Sequence, residues 1–123
     1  MYKKLQAKES KIAVIGLGYV GLPLALELAK NFSVIGYDLN NDNIEKLNNK
    51  IDPSSELQSS AFENSDILFT SNSDKLSDAS FYIIAVPTPI DNHRAPDLAP
   101  LLSATKSVAQ HLKKGDYVVY EST

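Results

Sequence analysis

Residues 11–30, KIAVIGLGYVGLPLALELAK, constrain the fold more tightly than any other part of the chain. The apolar residues Ile12 to Ile15 run without a polar break into Gly16-Leu17-Gly18-Tyr19-Val20-Gly21, and a pattern rich in Ala and Leu follows at once. A short apolar run bounded by glycine reads as a strand buried on both faces. From Val20 to about Asn31 the pattern is helical. Gly21, Ala25 and Ala29 recur every four positions, which predicts a helix face able to lie close against a sheet. Pro23 falls in the first turn, where backbone N–H groups lack helical partners in any case. A strand handed to a helix through three glycines is the opening of a βαβ unit.

The alternation continues. Ser33–Tyr37 reads as a second strand closed by Asp38, and residues 40–49 as a second helix with Ile44, Leu47 and Ile51 on its apolar side. The serine-rich stretch 52–66 is weakly patterned and predicts a short helix and loops. Ile67–Thr70 is a third strand, and FYIIAV (residues 81–86) a fourth with the continuous apolar run of a doubly covered strand. PTPIDNHRAP is a loop, since three prolines in ten residues sustain neither helix nor strand. Asp97 then caps a helix to about Leu112, its core face formed by Leu101, Thr105, Val108 and Leu112. KKGD is a turn before a last strand, Tyr117–Glu121. Strand and helix in alternation, with apolar strands throughout, specify an α/β fold: a Rossmann-like, doubly wound parallel sheet of about five strands, in the order 3-2-1-4-5, covered on both faces. Residues 1–123 form a single domain in this reading.

Bulk properties remove several function classes. Hydrophobic residues make up 43% of the chain, as expected of a folded domain rather than disorder. A net charge of −3 argues against nucleic acid as a partner, and the early lysines Lys3, Lys4, Lys8 and Lys11 read as a solvated edge. With no cysteine there is no disulfide, thiolate metal site or cysteine nucleophile in these residues. The opening MYKKLQAKES lacks the apolar core of a signal peptide, and no segment has the length of a membrane span, so a cytoplasmic protein without a membrane partner is expected. His93 and His111 have no second histidine or acid at ligand spacing, and no metal site is expected.

The glycine turn has the context that gives it chemical meaning. Gly16 permits the tight strand-to-helix turn, Gly18 lets a pyrophosphate approach bare backbone, and Gly21 allows close helix–strand packing. The helix N-terminus offers unpaired N–H donors and partial positive charge to those phosphates. Asp38 ends the second strand about 20 residues past Gly18, where the dinucleotide fingerprint puts the acid that accepts from a ribose diol. It would repel a 2′-phosphate, and the following LNNDN offers no Arg or Lys to attract one, so NAD is expected over NADP. Tyr19 and Val20 sit at the helix start and are candidates to touch the phosphates, Val20 alternatively packing in the core, while Asn43 either reaches the adenosine side or is a solvated residue of the second helix. Val86 and Thr88 end the fourth strand, and Ser122 and Thr123 the fifth, both at the edge where ligands of open α/β sheets collect.

Together these residues resemble the UDP-glucose/GDP-mannose dehydrogenase family. IGLGYVGLPLA, GYD, VPTPI and VVYEST match it in order and spacing across essentially the whole chain, and VPTPI, PDL and YEST are most similar to the branch acting on UDP-N-acetylhexosamines. The resemblance implies an enzyme that oxidises the C6 hydroxyl of a nucleotide sugar to a carboxylate in successive steps, consuming NAD twice, for cell-surface polysaccharide synthesis. It places Gly16 to Gly21, Asp38, Thr88, Ser122 and Thr123 on cofactor contacts and gives Thr123 a part in positioning the reacting oxygen. It also implies a UDP-sugar substrate and a homo-oligomer for the full-length enzyme. The family's cysteine, lysine and asparagine have no counterpart here, so an N-terminal piece that binds NAD without turnover is expected. A domain of the 3-hydroxyacid or 6-phosphogluconate dehydrogenase type, or a nucleotide-sensing domain without chemistry, would share the bare glycine turn.

Overall fold

The structure, a computed structural model, describes residues 3, 7, 9–53, 55, 57–87, 95 and 97–121. The elements run β1 (Lys11–Ile15), α1 (Gly21–Leu28), β2 (Val34–Tyr37), α2 (Asn41–Asn48), a 3-10 turn (Ser59–Phe62), β3 (Ile67–Thr70), a second 3-10 segment (Ser73–Asp78), β4 (Ala79–Ile84), α3 (Ala99–Ala109) and β5 (Tyr117–Tyr120). All five strands are parallel in one sheet, ordered β3-β2-β1-β4-β5, as the sequence predicts. Ile15 pairs with Tyr37 on one side and Ile84 on the other, so β1 lies where strand order reverses.

The period of two along β1 divides the core. Ile12 and Val14 face a cluster with Leu22, Leu26, Ile44, Leu47 and Phe69, beneath α1 and α2. Ala13 and Ile15 face the opposite cluster with Leu76, Tyr82, Ala104 and Val108, beneath α3. Helices on both faces of β1 explain why it carries no polar residue between Ile12 and Ile15.

Several local expectations are corrected. The fourth strand begins and ends two residues earlier than read, because Ala79 pairs with Lys11 while Ala85 leaves the ladder with its amide on Ile15 O. Helix α1 starts at Gly21, with Val20 as its N-cap. Leu98, not Asp97, is the N-cap of α3, although Ala99 N donates to Asp97 Oδ1 at 3.0 Å. The core face of α3 is Leu101, Ala104 and Val108; Leu112 lies past the helix end and is exposed, as is Ile51 after α2. Nor is every strand covered on both faces. Tyr117, Val119 and Tyr120 of β5 are exposed at the sheet edge, and Thr105 Oγ1 donates to Leu101 O and meets Tyr120 Oη at 3.1 Å.

Tyr82 ties the sheet to the segment that feeds it. Its ring is fully buried, and its hydroxyl serves Leu76 O at 2.8 Å and Ala79 O at 3.1 Å. Burial first, then Asp116 and Asp78, pushes its pKa up to about 12 from 10.0. Tyr82→Phe removes one donor from each carbonyl, although Leu76 O keeps Ala79 N and Ala79 O keeps Lys113 Nζ at 3.1 Å, and is expected to lose about 1 kcal/mol at neutral pH. The unfolded chain releases this proton near pH 10 and the folded chain near pH 12, so the native state binds more protons in between and stability falls as pH rises through that window. Between pH 8 and pH 11.5 the fall is about 2 kcal/mol. Urea titrations at pH 8 and pH 11.5 check this: the wild type should lose stability and Tyr82→Phe should lose measurably less.

Candidate functional site

At the carboxyl ends of β1, β2 and β4 lies a cleft of about 320 Å³. Its floor is the glycine turn. Gly16 has φ +97°, a left-handed conformation that L side chains rarely adopt, and a Cβ there would stand 3.0 Å from the backbone of Ala85 and Val86. Its amide donates to Tyr37 O at 2.8 Å, so the turn is pinned to the end of β2. Gly21 lies hard against the same turn: a Cβ on it would come within 1.7 Å of Gly16 O. Gly18 is different. Nothing lies within 4 Å of where its Cβ would be, and the residue lines the cleft.

Helices α1 and α2, which both start near this cleft, have different N-termini. Helix α2 is capped, since Asn40 Oδ1 accepts from Asn43 N at 3.1 Å, and Asp42 sits in its first turn. Helix α1 has no side-chain cap and no acid in its first turn. Its first helical bond runs from Leu22 N to Gly18 O, so the amides before Leu22 precede the ladder. An uncapped positive helix end beside bare backbone suits an anion.

Asp38 faces this arrangement from the end of β2 and is the one charged residue among the described cleft lining. Its Oδ2 accepts from Leu17 N at 2.9 Å and its Oδ1 from Asn40 N at 3.0 Å. Each oxygen of an ionised carboxylate has two acceptor positions, so one on each remains for a vicinal diol. The residues present therefore fit a dinucleotide: an acceptor pair for the diol, open space above Gly18 and a free helix end for the diphosphate.

Of the sequence-predicted site residues, Gly16, Gly18, Asp38, Asn43 and Val86 come together in the cleft lining. Tyr19, Val20 and Gly21 form the mouth of α1 but do not line the cleft, and the Tyr19 side chain is 72% exposed. Thr88, Ser122 and Thr123 lie outside the described residues, as does His93. His111 sits just past α3, and its buried Nε2 has no hydrogen-bond partner among the described residues. No group of three potential metal ligands occurs among the described residues, and none of their helices is long and apolar enough to cross a membrane.

The sequence reading missed the opposite wall, made of Pro100, Ser103, Ala104 and Ser107 of α3. A signal was present: proline and small residues at spacings of three and four line one helical stripe. It adjoins the apolar stripe that orients the helix on the sheet. Leu39, 67% exposed, lines the cleft from the second-strand side.

Residues 10–123 match the family described as UDP-glucose/GDP-mannose dehydrogenase family, NAD binding domain. A UDP-N-acetyl-D-glucosamine 6-dehydrogenase of Pseudomonas aeruginosa is 48% identical over 117 residues, 94% of this chain and 28% of the relative. The enzyme of the same description from Salmonella typhi is 48% identical over 116 residues, 94% of this chain and 27% of its own length. Among solved structures, the UDP-D-ManNAc dehydrogenase of Pyrococcus horikoshii superposes with a TM-score of 0.80 at 34% identity, covering 92% of this chain and 28% of that one. The chain thus spans little more than a quarter of the length of these relatives.

Proposed function

The chain belongs to the UDP-glucose/GDP-mannose dehydrogenase family as an NAD binding domain, and from that premise we propose that it is the cofactor-holding domain of a longer enzyme that oxidises the C6 hydroxyl of a UDP-sugar to a carboxylate. The 48% identity to two UDP-N-acetyl-D-glucosamine 6-dehydrogenases supports a UDP-N-acetylhexosamine as the sugar nucleotide. The cysteine that the family resemblance implies belongs to another segment of such an enzyme, since these residues contain none. A cytoplasmic, homo-oligomeric enzyme of cell-surface polysaccharide synthesis belongs to the same reading.

NAD supplies a hydride acceptor when bound. The residues here bind and orient it. Amides at the mouth of α1, from Gly18 to Gly21, would hold the diphosphate; Asp38 would accept from the adenosine diol; Asn43 and the Ser103–Ser107 stripe would flank the adenosine. Val86 would serve the nicotinamide side, and the family resemblance gives Thr88, Ser122 and Thr123 the same part, with Thr123 also helping to position the reacting oxygen.

The uncapped N-terminus of α1 above the bare Gly18 backbone carries this reading. Calorimetric titration of the protein with NAD and NADP tests it. NAD is expected to bind at least about tenfold more tightly, because a 2′-phosphate beside the Asp38 carboxylate meets like charge. Equal or tighter binding of NADP overturns the role of Asp38, and binding of neither overturns the site.

A further inference from the structure

We propose that Asp38 is a positioning residue for the phosphate turn, acting through Leu17, so that discrimination between cofactors works through the turn as well as at the ribose; this rests on the cofactor reading above. Two independent contacts converge on Leu17. Its amide donates to Asp38 Oδ2 at 2.9 Å. Its side chain, 4% exposed, is packed in the core beside Phe69, over a strand position that only glycine leaves open: a Cβ on Gly36 would lie 3.0 Å from Phe69 Cδ1 and 3.3 Å from Leu17 Cδ2. Gly16 before it is held by Tyr37 O, and Gly18 after it is the bare residue of the turn. Leu17 is therefore gripped at its amide and its side chain, and the peptide that leads into Gly18 takes its orientation from both.

The second carboxylate oxygen extends the link. Asn40 N donates to Asp38 Oδ1, and Asn40 in turn caps α2. One acidic side chain thus ties the glycine turn to the start of the second helix. A diol can add to the remaining acceptor positions without loosening either amide. A 2′-phosphate cannot: it brings negative charge against the carboxylate, and a carboxylate that swings away releases Leu17 N. Removing the acid relieves the repulsion but also frees the turn. Asp38→Ala is accordingly expected to lose NAD affinity without gaining a preference for NADP.

The decisive probe is 2′,3′-dideoxyADP, which keeps the diphosphate and lacks the diol. Titrated against wild type and Asp38→Ala, it should bind the variant at least about fivefold more weakly. Amide hydrogen exchange at Leu17 should accelerate at least about tenfold, with Ala13 and Val14 of β1 still protected. Unchanged affinity for dideoxyADP together with unchanged Leu17 exchange overturns the proposal. If Asp38→Ala does not fold, Asp38→Asn decides, because the two amides rest on different carboxylate oxygens and the Nδ2 that replaces one of them cannot accept. Faster exchange at Leu17 or Asn40 with intact strand protection supports the link, and unchanged exchange at both overturns it. Failure of the wild type to bind ADP would sink the cofactor reading instead, and the exchange comparison would still test the tie between Asp38 and Leu17.

Discussion

Gly21→Ala should abolish cofactor binding and lower stability by about 3 kcal/mol or more. The added methyl would sit 1.7 Å from Gly16 O, and that atom cannot step aside. Gly16 is held by its left-handed φ, by its amide on Tyr37 O and by the backbone of Ala85 and Val86 3.0 Å from its own Cβ position. Helix α1 must therefore move, and Leu22, Ala25 and Leu26, all buried, move with it. Displacing a packed helix by more than an ångström forfeits contacts along its whole buried face. Thermal unfolding without ligand checks the effect, with a drop in Tm on the order of 10 °C expected. A variant within about 2 °C of the wild type would mean that α1 is not held against the turn as described.

Gly18→Ala should separate binding from folding. Nothing lies within 4 Å of the added methyl, so unfolding in the absence of ligand should be unchanged to within about 0.5 kcal/mol. The residue lines the cleft, however, and a methyl there stands between the backbone and an approaching diphosphate. NAD affinity is expected to fall at least about tenfold, or about 1.4 kcal/mol. Two glycines of one motif would then fail for different reasons, Gly21 through the helix and Gly18 through the ligand. If Gly18→Ala binds NAD as the wild type does, the phosphates do not lie over this turn.

Much of this site is legible along the chain because its parts are local. The turn needs glycine at Gly16 for its φ and at Gly21 for its closeness, and both requirements arise within six residues of sequence. Asp38 is legible because an acid ending the second strand of a βαβ unit stands beside the first turn whatever the rest of the fold does. Its second attachment, to Leu17 N, is not legible in the same way. It depends on the side chain's rotamer and on how deep Leu17 sinks, which Gly36 and Phe69 determine from two other strands.

The limits of periodicity appear at the edges of elements and of the sheet. Ile51 and Leu112 continue helical apolar patterns on paper, but each lies beyond the last turn of its helix and is exposed. Tyr117, Val119 and Tyr120 have the composition of a buried strand but are exposed among the described residues, where β5 pairs with β4 alone. Strand and helix order, the glycine turn and its acid partner follow from steric rules and repeat lengths acting within one βαβ unit, and these are written in the residues themselves. The coverage of β5, the choice of Ala104 over Leu112 as a core residue, the small-residue wall of α3 and the hold of Asp38 on Leu17 arise only when segments distant in the chain meet. Burial and hydrogen bonding between such segments depend on which surface each one finds opposite it, and no local pattern specifies that.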